Sequence, residues 1–278
     1  MAGIDINYNA SAVSSYNNLG ATNSALSQIV SQLSSGLQIQ SAADNPAGYV
    51  IGQYLQEEGN GYTQAISNVQ SAVSVLQTAQ GALGQEASIL QTMNSLATQV
   101  ANGGTQTTTT LAASQAEFAS LQSELDQISA STNFGGTALL NGSYANQTFQ
   151  VGPYNATNDQ IMISITSSSS TALAVNSASV SISTVASAAS AMTAVQAAIS
   201  AVALQAANIG ATQNQMTSLS ANLTIAQENI QAAHANLVDV NVAQATTQFA
   251  SLQILEQAGV SVLYQAQHLP SMAQKLLQ

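Results

Sequence analysis

Apolar side chains recur every seven residues through a long segment in the second half of the chain. The row consists of Ala188, Val195, Val202, Ile209, Met216, Leu223, Ile230 and Leu237. A second row, offset by four, adds Val185, Met192, Ile199 and Ala206. Residues at this spacing share one face of a helix, and other helices must cover that face. The pattern predicts a helix of about 50 residues, roughly 75 Å long.

The same periodicity predicts helices in the rest of the chain. Asn45 is a good N-cap and Pro46 suits the first helical position, whereas Gly36 is a plausible helix stop. Pro270 is expected to end or bend the last helix. The predicted helices cover residues 10–36, 46–101 with an interruption near 59–61, 111–131, and 242–267.

The segment between the third helix and the long one has a different pattern. Short β-type runs at 149–151 and 161–165 are separated by Gly, Asn and Pro. We expect a small β-hairpin element at about 133–180, where the chain turns back. The predicted fold is therefore mainly α: a long antiparallel helical rod or coiled coil with a β-hairpin element in the middle of the chain.

Charged residues are few and almost all acidic. The 278 residues include twelve Asp or Glu, no Arg, and one Lys, Lys275, for a formal charge of -11. Phosphate recognition requires Lys or Arg, so the composition argues against binding to nucleic acid or to an anionic membrane surface. The N-terminal residues do not resemble a secretory signal peptide, and no run of about 18 apolar residues predicts a membrane span.

No group of residues suggests catalysis. The chain has no Cys, no GxSxG and no HExxH motif, and neither His234 nor His268 has a second ligand type at metal spacing. The prediction is a protein that is not an enzyme, with no cofactor and no metal site.

Seven short blocks, in order along the chain, resemble the bacterial flagellin family. Each block alone is weak, but together they span nearly the whole chain. They are LSSGL at 33–37, SAAD at 41–44, QTAQGAL at 77–83, NFGG at 133–136, LLNG at 139–142, IGATQN at 209–214 and QILEQAG at 253–259.

The resemblance implies a minimal flagellin, exported without a cleaved signal peptide, that self-assembles into the extracellular filament used for swimming. Residues 1–44 and 240–278 would pair as the filament-core domain, and 45–239 would form the helical rod domain. Implied partners are further copies of the chain, the flagellar export apparatus and its chaperone, and the filament cap and hook-junction proteins. The alternative is another flagellar axial protein of the junction or cap type.

The chain differs from the family in that it lacks nearly all of the basic residues that flagellins carry. Flagellins commonly carry Arg or Lys just after the SSGL motif, where this chain has Gln38 and Gln40. Residues 90–96 resemble the region where many flagellins are sensed by Toll-like receptor 5, but the basic residues expected there are absent. Recognition by that receptor is therefore doubtful.

Two apolar stripes in the terminal helices are the predicted self-assembly surface. The alternative is packing within the subunit, but terminal helices with little else to cover them would leave apolar surface for neighbouring copies. Gly259 would allow a close approach of helices there. The stripes are Leu19, Leu26, Ile29, Leu33 and Leu37, and then Phe249, Leu252, Leu255, Gly259, Val262 and Leu269.

The charge depletion also suggests an acidic habitat. A chain with almost no Lys or Arg avoids the strong positive charge that ordinary proteins acquire in acid, and an extracellular filament is exposed to the medium directly. Protease resistance, lineage drift and engineering are the alternative explanations of the same composition.

Overall fold

The computed structural model describes the backbone of residues 9–276 and the side chains of residues 9–268. Its main elements are five α-helices: α1 Ala10–Ser35, α2 Pro46–Ala101, α3 Thr108–Ser131, α4 Val185–Val238 and α5 Val242–Leu276. Four short strands lie between α3 and α4. The mainly α fold predicted from the sequence is confirmed.

Local capping residues set the helix ends. Gly36 adopts a left-handed φ of 76° after α1, and its N–H donates to the Gln32 carbonyl at 2.8 Å. The Asn45 side-chain oxygen accepts from Gly48 N–H at 2.9 Å, which caps α2 as predicted. α3 begins at Thr108, three residues before the predicted start, because Thr107 and Thr110 form a capping box that the apolar pattern does not reveal.

The predicted interruption of α2 near residues 59–61 is wrong, because the helix is continuous there. The glycines serve instead for close approach. A Cβ on Gly61 would lie 2.6 Å from the Pro153 Cβ, and Gly59 is itself buried. Space for a neighbouring loop therefore outweighs the poor helix propensity of glycine at these positions.

α5 continues past Pro270, where the sequence predicted an end or a bend. Proline lacks the N–H that would bond to the carbonyl four residues earlier, which is that of Ala266. The Asn9 side-chain amide donates to this carbonyl at 2.7 Å. The Asn9 side-chain oxygen also caps α1 by accepting from Ala12 N–H at 3.0 Å. One side chain thus caps the start of α1 and satisfies the carbonyl that Pro270 leaves free.

Contacts divide the chain into two compact units, and each is described by itself. The terminal unit contains residues up to Glu57 together with those from Asn229 onward, and the central unit is Glu58–Glu228. These units divide within α2 and α4, whereas the boundaries predicted from the sequence follow the helix breaks. That assignment of domains remains a prediction.

The central unit has a core formed by α2, α3, α4 and the segment between α3 and α4. The predicted seven-residue row of α4 is buried from Ala188 to Leu223. Fully burying one Leu or Phe side chain contributes about 1.5–3 kcal/mol. The corresponding rows of α2 and α3 are buried as well, at Val69, Leu76, Leu83, Leu90, Phe118 and Leu125.

Two antiparallel hairpins take the place of the single predicted β element. The first pairs β1 Asn133–Phe134 with β2 Thr137–Ala138, and the second pairs β3 Gln147–Gln150 with β4 Gln160–Ile163. The segment that follows β4 is fixed to α3 by side-chain amides. Gln122 donates to the Val175 carbonyl at 2.7 Å, and the Gln115 side-chain oxygen accepts from Ile182 N–H at 2.6 Å.

Hydroxyl side chains cover much of the helix surfaces without charge. Many Ser and Thr hydroxyls donate to the carbonyl four residues earlier, as Thr78 does to Ser74 at 2.9 Å and Thr98 to Asn94 at 2.8 Å. These short neutral bonds occupy positions where ion pairs are common in other helical proteins.

α4 is long and apolar enough, by composition alone, to cross a membrane, with a mean hydropathy of 1.5 over 18 residues. Much of that value comes from alanine. Its larger apolar side chains at the seven-residue spacing, such as Val195, Val202 and Ile209, are buried in the central core. The helix therefore uses its apolar face to pack within the unit.

Replacing Gly61 with Ala should destabilise the central unit by about 1–3 kcal/mol, because the added methyl group overlaps the rigid Pro153 ring. Gly84→Ala is the matched control, since a Cβ there meets nothing within 4 Å. It should stabilise α2 by up to about 1 kcal/mol. Thermal unfolding by circular dichroism measures both, and equal shifts would contradict the close contact.

Candidate self-assembly surface

α1 and α5 form an antiparallel pair within the terminal unit. Asn9 contacts Ala266, Leu19 lies beside Gly259, and Leu37 forms an antiparallel bridge with Asp239. The two helices therefore run in opposite directions along each other. The connections α1–α2 and α4–α5 meet at the bridge, where Gln38 N–H donates to the Val238 carbonyl at 2.7 Å and Val240 N–H to the Gly36 carbonyl at 2.9 Å.

The contact between these helices is a coiled-coil seam, which we call the seam. Its members are half-buried or buried, and they alternate at spacings of three and four along each helix. α1 contributes Ala12, Ser15, Leu19, Thr22, Leu26, Ile29 and Leu33, and α5 contributes Ala245, Phe249, Leu252, Glu256, Gly259, Leu263 and Ala266.

Most of the residues predicted for self-assembly lie in the seam. The half-buried ones are Leu19, Leu26, Ile29, Leu33, Phe249, Leu252 and Gly259, while Leu37 is half-buried in the bridge segment. Leu255 and Val262 lie outside the seam, and both are 54% exposed. The side chain of Leu269 is outside the described residues. The structure thus gives the seam residues a partner within the chain, and their part in assembly stays a prediction.

The tight approach at Gly259 also lies within the chain. A Cβ at this position would be 3.3 Å from the Leu19 Cδ1, so alanine would require a small shift and a larger side chain would displace Leu19.

A second set of apolar side chains in the terminal unit is exposed. The seven-residue pattern predicted only Leu255 and Val262 among them. The others lie beside the seam positions and form no periodic row of their own. Ile254, Val260 and Tyr264 lie on α5 with more than half of each side chain exposed. Together with Val13, Tyr16, Val30, Val242, Leu255 and Val262, they form what we call the outer apolar set.

The outer apolar set has little charge around it. The Asp, Glu, His, Lys and Arg residues of α5 are limited to Glu256, His268 and Lys275. Among the described residues, no group of three His, Asp or Glu side chains could hold a metal ion. Apolar side chains exposed in such numbers on one helix pair are typical of a surface that another protein covers.

Comparisons with known proteins identify the family. Residues 6–145 match the family model of the bacterial flagellin N-terminal helical region, and 192–278 match that of the C-terminal helical region. Flagellin from Bacillus subtilis is 34% identical, with 98% of this chain and 99% of the relative covered. Flagellin from Halalkalibacterium halodurans is 33% identical over the same shares of the two chains.

The chain belongs to the bacterial flagellin family. It is a structural subunit and not an enzyme, and copies of it assemble into the extracellular flagellar filament. Both of these relatives align with this flagellin over nearly their whole length, in keeping with the minimal form expected from the sequence.

Solved structures agree with this assignment. The crystal structure of Bacillus cereus flagellin matches with a TM-score of 0.50 and 27% identity, over 56% of this flagellin and 88% of that chain. A putative flagellar hook-associated protein from Vibrio parahaemolyticus matches with a TM-score of 0.59 over 70% of this flagellin and all of that chain, but at 14% identity it shows the fold alone. The family models favour a filament subunit over the junction or cap alternative.

Proposed function

We propose that the outer apolar set makes the contacts between copies of this flagellin in its filament, while the seam holds the two ends of each chain together. The observation that carries the proposal is the exposure of large apolar side chains on α5. Ile254 is 67% exposed and Tyr264 is 66% exposed. Both are outside the seam, and no other described residue of the chain buries them.

The near absence of cations supports an apolar mode of assembly. Ion pairs between copies would need Lys or Arg, and Lys275 is the only such residue in the chain. Burying exposed apolar surface contributes about 25 cal/mol per Å² and requires no charge. The exposed amides and hydroxyls of both helices would supply neutral hydrogen bonds around these contacts.

The double substitution Leu255→Gln and Val262→Gln tests the proposal. Both side chains are exposed, so the α1–α5 pair should keep its helix content while the polymer yield falls at least tenfold. Sedimentation of polymer, circular dichroism of the monomer and negative-stain microscopy measure these effects. Thr247→Gln, which is also on the exposed surface of α5, is the matched control and should assemble normally.

Gly259→Leu separates the two surfaces. It should displace Leu19 from the seam and block assembly by opening the pair, with the helix content nearly unchanged. Normal filaments from the Leu255/Val262 double variant would contradict the role of the outer apolar set, and normal filaments from Gly259→Leu would contradict the role of the seam.

The resemblance to flagellins supports three further expectations, which concern the place of each part of the chain in the filament, its export, and the proteins at the filament ends. Residues 1–44 and 240–278 would pair as a coiled coil that lines the inside of the filament, and 45–239 would form the helical rod domain. The export apparatus and its chaperone would deliver the chain without cleaving a signal peptide, and the cap and hook-junction proteins would contact the two ends of the polymer. Accumulation of the chain inside cells that lack the export apparatus would support this route.

A further inference from the structure

Glu86 on α2 is the feature of the central unit that filament formation does not explain. Its side chain is 0% exposed. Among the described residues, it is the one carboxyl group with a fully buried side chain. Leu83 and Leu90, its neighbours on the same helix, are buried with it.

One oxygen of this carboxyl group has a partner and the other does not. The Ser168 hydroxyl, which is also fully buried, donates to Glu86 Oε1 at 2.7 Å. Glu86 Oε2 is buried without a hydrogen bond. An ionised carboxylate with a buried oxygen that accepts no hydrogen bond is strongly unfavourable, whereas the protonated carboxyl group places no charge in the core.

The hydrogen bond from Ser168 is part of what we call the clamp: the bonds by which the loop that contains Ser168 and Ser170 is attached to α2 and α3. Two residues further along, the Ser170 N–H and hydroxyl donate to the Asp126 carboxylate of α3 at 2.8 and 2.9 Å. Ser168 therefore fixes the loop to α2, and Ser170 fixes it to α3. A change at Glu86 acts on this clamp directly.

No positive group can balance a charge on Glu86. The central unit, residues 58–228, contains no Lys, Arg or His. The titratable groups of the central unit other than Glu86 are all acids or tyrosines. They are Glu58 and Tyr62 on α2, Glu117, Glu124 and Asp126 on α3, Tyr144, Tyr154 and Asp159 in the hairpin segment, and Glu228 on α4.

We propose that Glu86 is a proton-binding switch of this fold: the clamp on α2 and α3 is most stable with the carboxyl group protonated and loosens when that group ionises. The proton resides on the oxygen that has no hydrogen bond, and Ser168 continues to donate to the other. Ionisation places an uncompensated negative charge in the core, which favours states in which the loop lifts and water reaches the carboxylate.

The direction of the pH dependence follows from the environment. Burial raises the pKa of Glu86 from 4.5 to about 7, and the Ser168 hydrogen bond opposes this only in part. Below pH 4.5 the group is protonated in both folded and unfolded chains, and the effect is absent. Between pH 4.5 and 7 the Glu86 carboxyl group ionises in the unfolded chain but stays protonated in the folded one. The folding constant therefore falls by up to tenfold per pH unit. Above pH 7 the loss is complete, about 300-fold in all.

Asp44, in the terminal unit, responds in the opposite direction. Its carboxylate accepts hydrogen bonds from the Ser41 N–H, the Ser41 hydroxyl and the Gln40 N–H, and these lower its pKa below 3.8. The stability that it contributes is lost only as the pH falls through that lowered pKa. The two effects therefore occupy separate pH ranges.

Urea unfolding of the full-length monomer, followed by circular dichroism from pH 4.5 to 8, tests the switch. The wild-type folding constant should fall by tens to hundreds of fold as the pH rises, whereas Glu86→Gln should remove most of this slope. Glu117→Gln, which removes an exposed carboxylate from α3, should keep it. An unchanged slope in Glu86→Gln, or an equal change in Glu117→Gln, would overturn the proposal.

A direct titration keeps the proposal testable if Glu86→Gln fails to fold. The chain contains seven glutamates, and carbon-13 labelling of their carboxyl groups allows each resonance to be followed by NMR. In the wild type, the carboxyl resonance that is assigned to Glu86 through its correlations with the Glu86 backbone should titrate near pH 7. Seven resonances that all titrate near the ordinary glutamate value would exclude the switch. Neither measurement depends on filament assembly.

Discussion

Deleting residues 1–40 and 242–278 is expected to abolish polymerisation and to leave a soluble, helical monomer. The deletion removes all of α1 and α5, and with them the seam and the whole outer apolar set. The buried cluster that forms the central core runs from Ala65 to Leu223, so none of its members is lost. Folding of the central unit and assembly of the filament should therefore separate cleanly.

Sedimentation velocity, circular dichroism and negative-stain microscopy would measure the two properties on the same preparation. The helix content should fall by about the share that α1 and α5 contribute, and the remaining transition should stay cooperative. Single-end deletions of 1–40 or 242–278 are the useful comparison, because either one leaves an unpaired helix and should favour irregular aggregates. Ordered filaments from the double deletion would show that the terminal helices are not the assembly surface.

Filaments of this flagellin are expected to remain assembled at pH 2–3, where a Lys- and Arg-rich filament would be driven apart by its own charge. In acid the carboxylates are neutral, and the positive charge is limited to Lys275, His234, His268 and the α-amino group, close to +4 in total. A typical domain has about 25% charged residues and acquires a far larger positive charge at the same pH. Repulsion between densely packed copies is correspondingly weaker here.

Turbidity and microscopy of filaments held between pH 2 and 8 would test this expectation, with a Lys- and Arg-rich flagellin as the comparison. Melting temperatures should rise from pH 8 toward pH 4.5 if the Glu86 switch operates within the filament. As the pH falls through the lowered pKa of Asp44, its carboxylate is protonated and the hydrogen bonds that it accepts weaken, so a small loss is expected there. Dissociation into monomers at pH 2–3 would rule out the acid interpretation of the composition.

The sequence predicted those features that depend on local chemistry. The seven-residue rows identified α2, α3 and α4, and the caps at Asn45 and Gly36 placed two helix ends correctly. The sequence pattern did not predict features that depend on a contact with a residue far away in the chain. Nothing near Gly61 indicates that Pro153 lies against it, and nothing near Pro270 indicates that Asn9 bonds to the carbonyl that it leaves free.

Prediction of the self-assembly surface from the sequence was limited for the same reason. A periodic apolar row requires a covering helix, but it does not say whether that helix belongs to the same chain or to another copy. Leu19 and Leu26 fit both alternatives, and the structure places them against α5 of their own chain. Ile254 and Tyr264 follow no simple row, so the pattern gave no reason to select them. Glu86 appeared in the sequence as one more acid, because burial of a charged residue has no local signature.

The hydroxyl-rich helix surfaces have a consequence for ionic strength. Dissolved salt screens charges over about 10 Å at 0.1 M and about 3 Å at 1 M, but it hardly affects a short bond between a hydroxyl and a carbonyl. The central unit contains no pair of opposite charges that salt could weaken, and only its like-charged carboxylates would be screened. We expect a filament built from such units to keep its cohesion from fresh water to brine, and added salt should relieve its residual self-repulsion.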